Sequence, residues 1–120
     1  VADGVKAPLA AIDGRFAGVV DLVICNPPYV DTPHDEAAHG GPLTAAWAGG
    51  QAGRSLIERL LAILPCWLSH SGLCYLLLEQ VNVPKAMVAQ AATVGLRMDN
   101  VLTRRAGREL LSVWRLQREE

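Results

Sequence analysis

The sequence predicts an α/β fold, in which a parallel βαβ unit is followed by a second helix and an antiparallel β hairpin. Three observations carry this. Residues 19–25 and 73–78 are continuous apolar runs bounded by turn residues, the pattern of strands covered on both faces of a parallel sheet. Between them, Leu56, Ile57, Leu60, Leu61 and Leu64 recur at helical spacing, as a crossover helix requires. Near the end of the chain, residues 96–104 and 108–116 flank Ala106-Gly107, a short glycine-containing connection of the kind that joins antiparallel strands.

Taken in order, residues 19–25 (Val-Val-Asp-Leu-Val-Ile-Cys) and 73–78 should both be central strands, because an apolar residue on each face needs a neighbour on each face. The crossover helix should run from Gly53 to about Leu64, with Pro65 kinking or ending it, since proline lacks the N–H that the helical ladder uses. A second helix fits residues 84–94, with Pro84 in its first turn and Gly95 as its C-terminal stop. Strands over residues 96–104 and 108–116 complete the hairpin. There are no repeats or low-complexity segments.

Composition narrows the function. At 120 residues and 51% hydrophobic content, the chain can build one domain with a substantial core. Its apolar stretches fall far short of the roughly 20 residues that a membrane-spanning helix needs, and its start has no secretory-signal pattern. A formal charge of −1 gives no global attraction to nucleic acid. Cys25, Cys66 and Cys74 are odd in number, widely spaced and set in apolar sequence, which reads as buried, reduced thiols of a cytosolic or nuclear protein. No Cys-x-x-Cys or paired histidine spacing marks a zinc site.

The segment with the most chemistry in it is Asn26-Pro27-Pro28-Tyr29, directly after the first apolar run. Two prolines fix their own φ near −65° and push the preceding residue out of the helical region, so the turn is stiff. A stiff turn can hold the Asn26 side-chain carbonyl and a backbone carbonyl together, both accepting from one NH2 group, with Tyr29 flat against it. An amide or aromatic amine is a poor nucleophile, and presenting it to an electrophilic methyl group is chiefly a positioning task. The plain alternative is a strand-ending turn, a common use of Asn and Pro.

Together with His39-Gly40, then Ala45-Ala46-Trp47-Ala48-Gly49-Gly50 and Gly53-Arg54, this tetrapeptide resembles the HemK-type protein glutamine methyltransferases, in particular the eukaryotic branch that modifies the class I translation release factor. The resemblance implies the carboxyl-terminal half of a Rossmann-like class I methyltransferase sheet, with residues 1–120 as a partial domain lacking the glycine-rich cofactor loop. It implies S-adenosyl-L-methionine as cofactor and the Gly-Gly-Gln loop of the release factor as substrate. Asn26 and the Pro27 carbonyl would hold the glutamine amide, with Pro28 completing the turn, Tyr29 packing on the amide and Trp47 lining the substrate groove or stapling its loop to the sheet. Asn26 would also approach the cofactor, and Asp3 would bond the adenine amine beside Gly4, where the family usually has a bulky apolar residue. Relatives act with a small zinc-binding activator subunit. Since the cofactor loop belongs upstream of Asp3, the chain reads as a fragment that by itself binds the cofactor weakly or not at all.

Other features carry less. Gly49-Gly50-Gln51-Ala52-Gly53-Arg54 lacks the Lys-Ser/Thr ending of a phosphate loop. His34, Asp35, Glu36 and His39 form a polar cluster that reads as solvated loop, and Glu79 and Gln80 follow a strand at the edge where ligands gather in open α/β sheets. The terminal arginines read as a solvated hairpin edge. Two functional alternatives stay open: methylation of an adenine amine in DNA or RNA, whose NH2 group is planar like a carboxamide's, and an inactive truncated product.

Overall fold

The computed structural model describes residues 16–27 and 54–119. Strand β1 (Val20–Cys25) is followed by helix α1 (Ser55–Trp67), strand β2 (Leu68–Glu79), a single 3-10 turn (Gln80–Asn82), helix α2 (Pro84–Thr93), and strands β3 (Leu96–Ala106) and β4 (Glu109–Arg118). The sheet order is β1-β2-β4-β3, with β1 and β2 parallel and β4 antiparallel to both β2 and β3. The last strand therefore inserts between its hairpin partner and the parallel pair.

The elements follow from the local signals. Pro84 sits in the first turn of α2, where its missing N–H costs nothing, and Gly95 follows Val94 with φ of +79°, a conformation that glycine adopts without strain. Gly107, at φ +62°, turns the hairpin. On α1 the buried residues are Ile57, Leu60, Leu61, Leu64 and Trp67, an i, i+3, i+4, i+7 stripe. That stripe joins Leu68, Cys74, Leu76 and Leu78 of β2, Met87 and Ala91 of α2, Leu96 and Met98 of β3, and Leu116 of β4 in one core. Along β2, fully buried Cys74, Leu76 and Leu78 alternate with half-buried Leu73, Tyr75 and Leu77, so the sheet face that meets the helices is the drier one.

Three expectations need correction. β2 is a central strand, but β1 is an edge among the described residues, with Leu22 and Ile24 exposed at 55% and 77%. Its apolar residues face both ways: Val20, Val23 and Cys25 pack against the core, and Leu22 and Ile24 do not. Secondly, Pro65 does not end α1, which continues to Trp67. The Pro65 carbonyl accepts a bond from Arg118 Nη2 at 2.6 Å, and the same nitrogen donates to the Leu68 carbonyl at 2.5 Å. A guanidinium there satisfies carbonyls that the helix end leaves open and opposes the negative end of the helix dipole. Arg118 is therefore a structural tie between β4 and α1 rather than part of a solvated fringe. Arg97 and Arg115 both approach Asp99, at 2.9 and 3.9 Å, while Arg104, Arg105 and Arg108 are exposed. Thirdly, β2 starts at Leu68, five residues before the apolar run. Its polar opening Ser69-His70-Ser71-Gly72 bulges where the pairing jumps from Val20↔Leu68 to Leu22↔Leu73, and Ser69 Oγ donates to Asp21 Oδ1 at 2.6 Å.

Candidate active site

The parallel pairing of β1 with β2 sets the geometry. Cys25 pairs with Leu76, so the chain leaves β1 at Asn26 and Pro27 while β2 continues for three more residues to Glu79. Both exits lie at the carboxyl edge of the parallel pair, the edge at which open α/β sheets bind ligands. Asn26 is exposed there and Pro27 is buried, so a polar amide stands on a fixed base. The side chain has an acceptor carbonyl and a donor NH2, the set needed to grip another amide.

On the β2 side, the Glu79 carboxylate accepts from the Val81 N–H, and the Asn82 Oδ1 accepts from the Glu79 N–H at 2.8 Å. This reciprocal pair closes the 3-10 turn in the manner of a helix capping box. Asn82 is fully buried, whereas Val81 and Val83 are exposed at 41% and 47%. Val83 has φ +55° and ψ +70°, the only non-glycine residue with positive φ among those described. A β-branched residue is strained there, and the proline that follows disfavours it further. The sequence favours a structural loop for Glu79 and Gln80, with a border of the substrate entrance as the lesser reading; it gives no sign of the strain at Val83, because Val before Pro ordinarily signals extended backbone.

Of the residues expected to form the site, the structure brings Asn26 and Pro27 to the same sheet edge as Glu79 and Gln80. Asp3, Gly4, Pro28, Tyr29, Trp47, His34, Asp35, Glu36 and His39 lie outside the described residues. Among the described residues no group of His, Cys, Asp or Glu could hold a metal ion, and no helix is long and apolar enough to cross a membrane.

Cys66, expected to be buried, is exposed, because it lies on α1 off the buried stripe. Cys25 adjoins Asn26 in sequence. Burial pushes its thiol up to about 11, and burial together with the neighbouring Cys25 pushes Cys74 up to about 12. At neutral pH both are therefore thiols rather than thiolates, and Cys25 is a poor nucleophile beside Asn26. Both values exceed the ordinary 9.0, so the folded state retains protons that the unfolded state releases. The associated stability is fully present below pH 9 and declines as pH rises through 11 to 12. Titration of the native chain with Ellman's reagent at pH 8 should modify exposed Cys66 rapidly and Cys25 and Cys74 only as the chain unfolds. Three equally fast thiols in the native state would contradict the burial.

No family model matches the sequence. Among curated proteins, the chain is 42% identical over 104 residues to Methyltransferase HEMK2 of Mus musculus, covering 87% of this chain and 48% of that protein. It is 35% identical over 109 residues to the eRF1 methyltransferase catalytic subunit mtq2 of Schizosaccharomyces pombe, covering 89% of this chain and 47% of that protein. Among solved structures, it resembles the E. cuniculi Mtq2-Trm112 complex, responsible for methylation of the translation termination factor eRF1, with a TM-score of 0.65 and 26% identity over 83% of this chain and 52% of that one. The chain spans about half the length of the curated relatives it matches. The α/β sheet and the sequence agree: this chain belongs to the HemK-type family, of the HEMK2 and Mtq2 kind, and matches about half the length of those relatives.

Proposed function

We propose that this chain is the substrate-clamp half of an S-adenosylmethionine-dependent enzyme that methylates the glutamine side-chain amide in the Gly-Gly-Gln loop of a class I release factor. The observation that carries the reading is the exposed Asn26 amide on buried Pro27 at the carboxyl edge of β1, in a chain 35% identical to an eRF1 methyltransferase subunit. Asn26 and the Pro27 carbonyl accept from the target NH2 group and fix its lone pair toward the methyl donor. Protein groups need chiefly orient the amide, because the cofactor, when bound, would supply an already activated methyl group and leave as the neutral thioether, while the N–H proton that the new N–C bond displaces is lost to water. Asn26 fits this role by its exposure and its position at the ligand edge. Asp3 and Gly4, the adenine-side residues, complete the cofactor contacts in this reading. The expected partner is a small zinc-binding activator; what supports a partner of this kind is that the similar solved structure is a complex of Mtq2 with Trm112.

The test is labelled-methyl transfer by a polypeptide of the relatives' full length carrying this chain, together with its activator. It is offered release factor with Gln or Ala at the Gly-Gly-Gln site. Label on the Gln form alone is expected. Label on neither form, with label on DNA or RNA, would replace the protein substrate with an adenine amine.

A further inference from the structure

We infer that the 79–83 turn is a positioning element for the polypeptide that flanks the target glutamine, with Val81 and Val83 as the apolar wall on which it lies. The inference rests on the reading above and deepens it. Its first support is position. The Cys25↔Leu76 register sets Asn26 and Pro27 level with Leu77 and Leu78, so the 79–83 turn rises just beyond the clamp at the same sheet edge. A glutamine held by Asn26 sits on a chain whose neighbouring residues pass over an adjacent loop, and on the β2 side this is that loop.

The second support is how the turn is built. Its anchoring is polar and inward: Asn82 is fully buried, and the Glu79 and Asn82 side chains each bond the other's end of the turn. Two of its three exposed residues are apolar, Val81 at 41% and Val83 at 47%, and they stand beside the exposed Gln80 amide. A turn selected only to join β2 to α2 would have glycine at the left-handed position. Instead Val83 holds φ +55° against its own branched side chain and the following Pro84. Strain of this kind persists where surrounding bonds enforce it, and it clusters at sites that grip a ligand. The occupant is polypeptide rather than a nucleobase, because the exposed side chains of the turn offer aliphatic contact from Val81 and Val83 and an amide from Gln80, which suits peptide, and no aromatic or cationic stacking surface.

The test uses the full-length enzyme with its activator and two variants, Val81→Ser and Val83→Gly. Glycine accepts the left-handed backbone, so Val83→Gly keeps the turn and removes only the side chain. Each variant is assayed on intact release factor and on the tripeptide Gly-Gly-Gln, which has no flanking residues. The expected result is a rise in KM for release factor of about tenfold, the effect of losing one buried valine contact, with kcat and tripeptide turnover unchanged. Unchanged KM in both variants overturns the inference. So does equal loss on both substrates, which would mean general damage. Should the unmutated enzyme transfer no methyl group to the Gln form, the functional reading falls and the wall with it. Normal transfer with insensitive variants removes the wall alone.

Discussion

Replacing Asn26 with alanine should lower kcat/KM for release-factor methylation by on the order of 10²-fold or more, with the fold intact. The size follows from what the residue does. Delocalisation leaves the target nitrogen a weak nucleophile, so the rate depends on how often its lone pair faces the methyl group, and a misplacement of about 1 Å costs about 10²-fold. In the proposed clamp Asn26 supplies a side-chain acceptor to that grip, and alanine removes it. Stability should change little, because Asn26 is exposed and lies beyond the last paired residue of β1. Asn26→Asp makes the complementary case: it keeps the acceptor oxygens and removes the NH2 donor while adding charge, and it should fall between wild type and alanine. The checks are steady-state methyl transfer and thermal unfolding of the same preparations. Wild-type turnover by the alanine variant would end the clamp assignment. Loss of turnover together with loss of fold would show a structural role for Asn26.

The contrast between residues explains what could be read in advance. The helices were legible because α1 carries an uninterrupted apolar stripe and α2 is bracketed by Pro84 and Gly95, signals that act within a turn or two of chain. The hairpin was legible from Gly107 for the same reason. The exposure of Leu22 and Ile24 was not, since an apolar run shows that both faces prefer cover but not what lies beside the strand. Arg118 was misread as solvated because its partners, the Pro65 and Leu68 carbonyls, are 53 and 50 residues away in sequence. Within the candidate site, Asn26 announced itself through the adjoining prolines. Val83 could not, because its left-handed backbone is imposed by bonds among Glu79, Val81 and Asn82 against its own local preference.

Gly72→Ala should destabilise the chain by about 3 kcal/mol, at the upper end of ordinary overpacking. Unlike Gly95 and Gly107, Gly72 has no positive φ; what it needs is space. A Cβ there would lie 2.6 Å from the Val20 carbonyl oxygen, 3.1 Å from the Ser69 nitrogen and 3.1 Å from Leu68 Cδ2. Two of these three atoms are backbone, so no change of rotamer relieves the closest contact. The Val20 carbonyl has little room to retreat: Val20 pairs with Leu68, and just upstream the Gly18 N–H donates to the Cys66 carbonyl at 2.7 Å. The alternative is to open the bulge and separate the start of β1 from β2, giving up ladder bonds and the packing of Val20 on the core. Urea unfolding followed by tryptophan fluorescence should show a lower midpoint with an unchanged m-value, the mark of altered stability rather than an altered unfolded state. Ser71→Ala, one residue away and exposed, should stay within about 0.5 kcal/mol of wild type. Equal midpoints for Gly72→Ala and Ser71→Ala would mean that β1 yields freely at this point. A β1 that yields could not hold Asn26 in one place, so the same measurement bears on the clamp at the strand's other end.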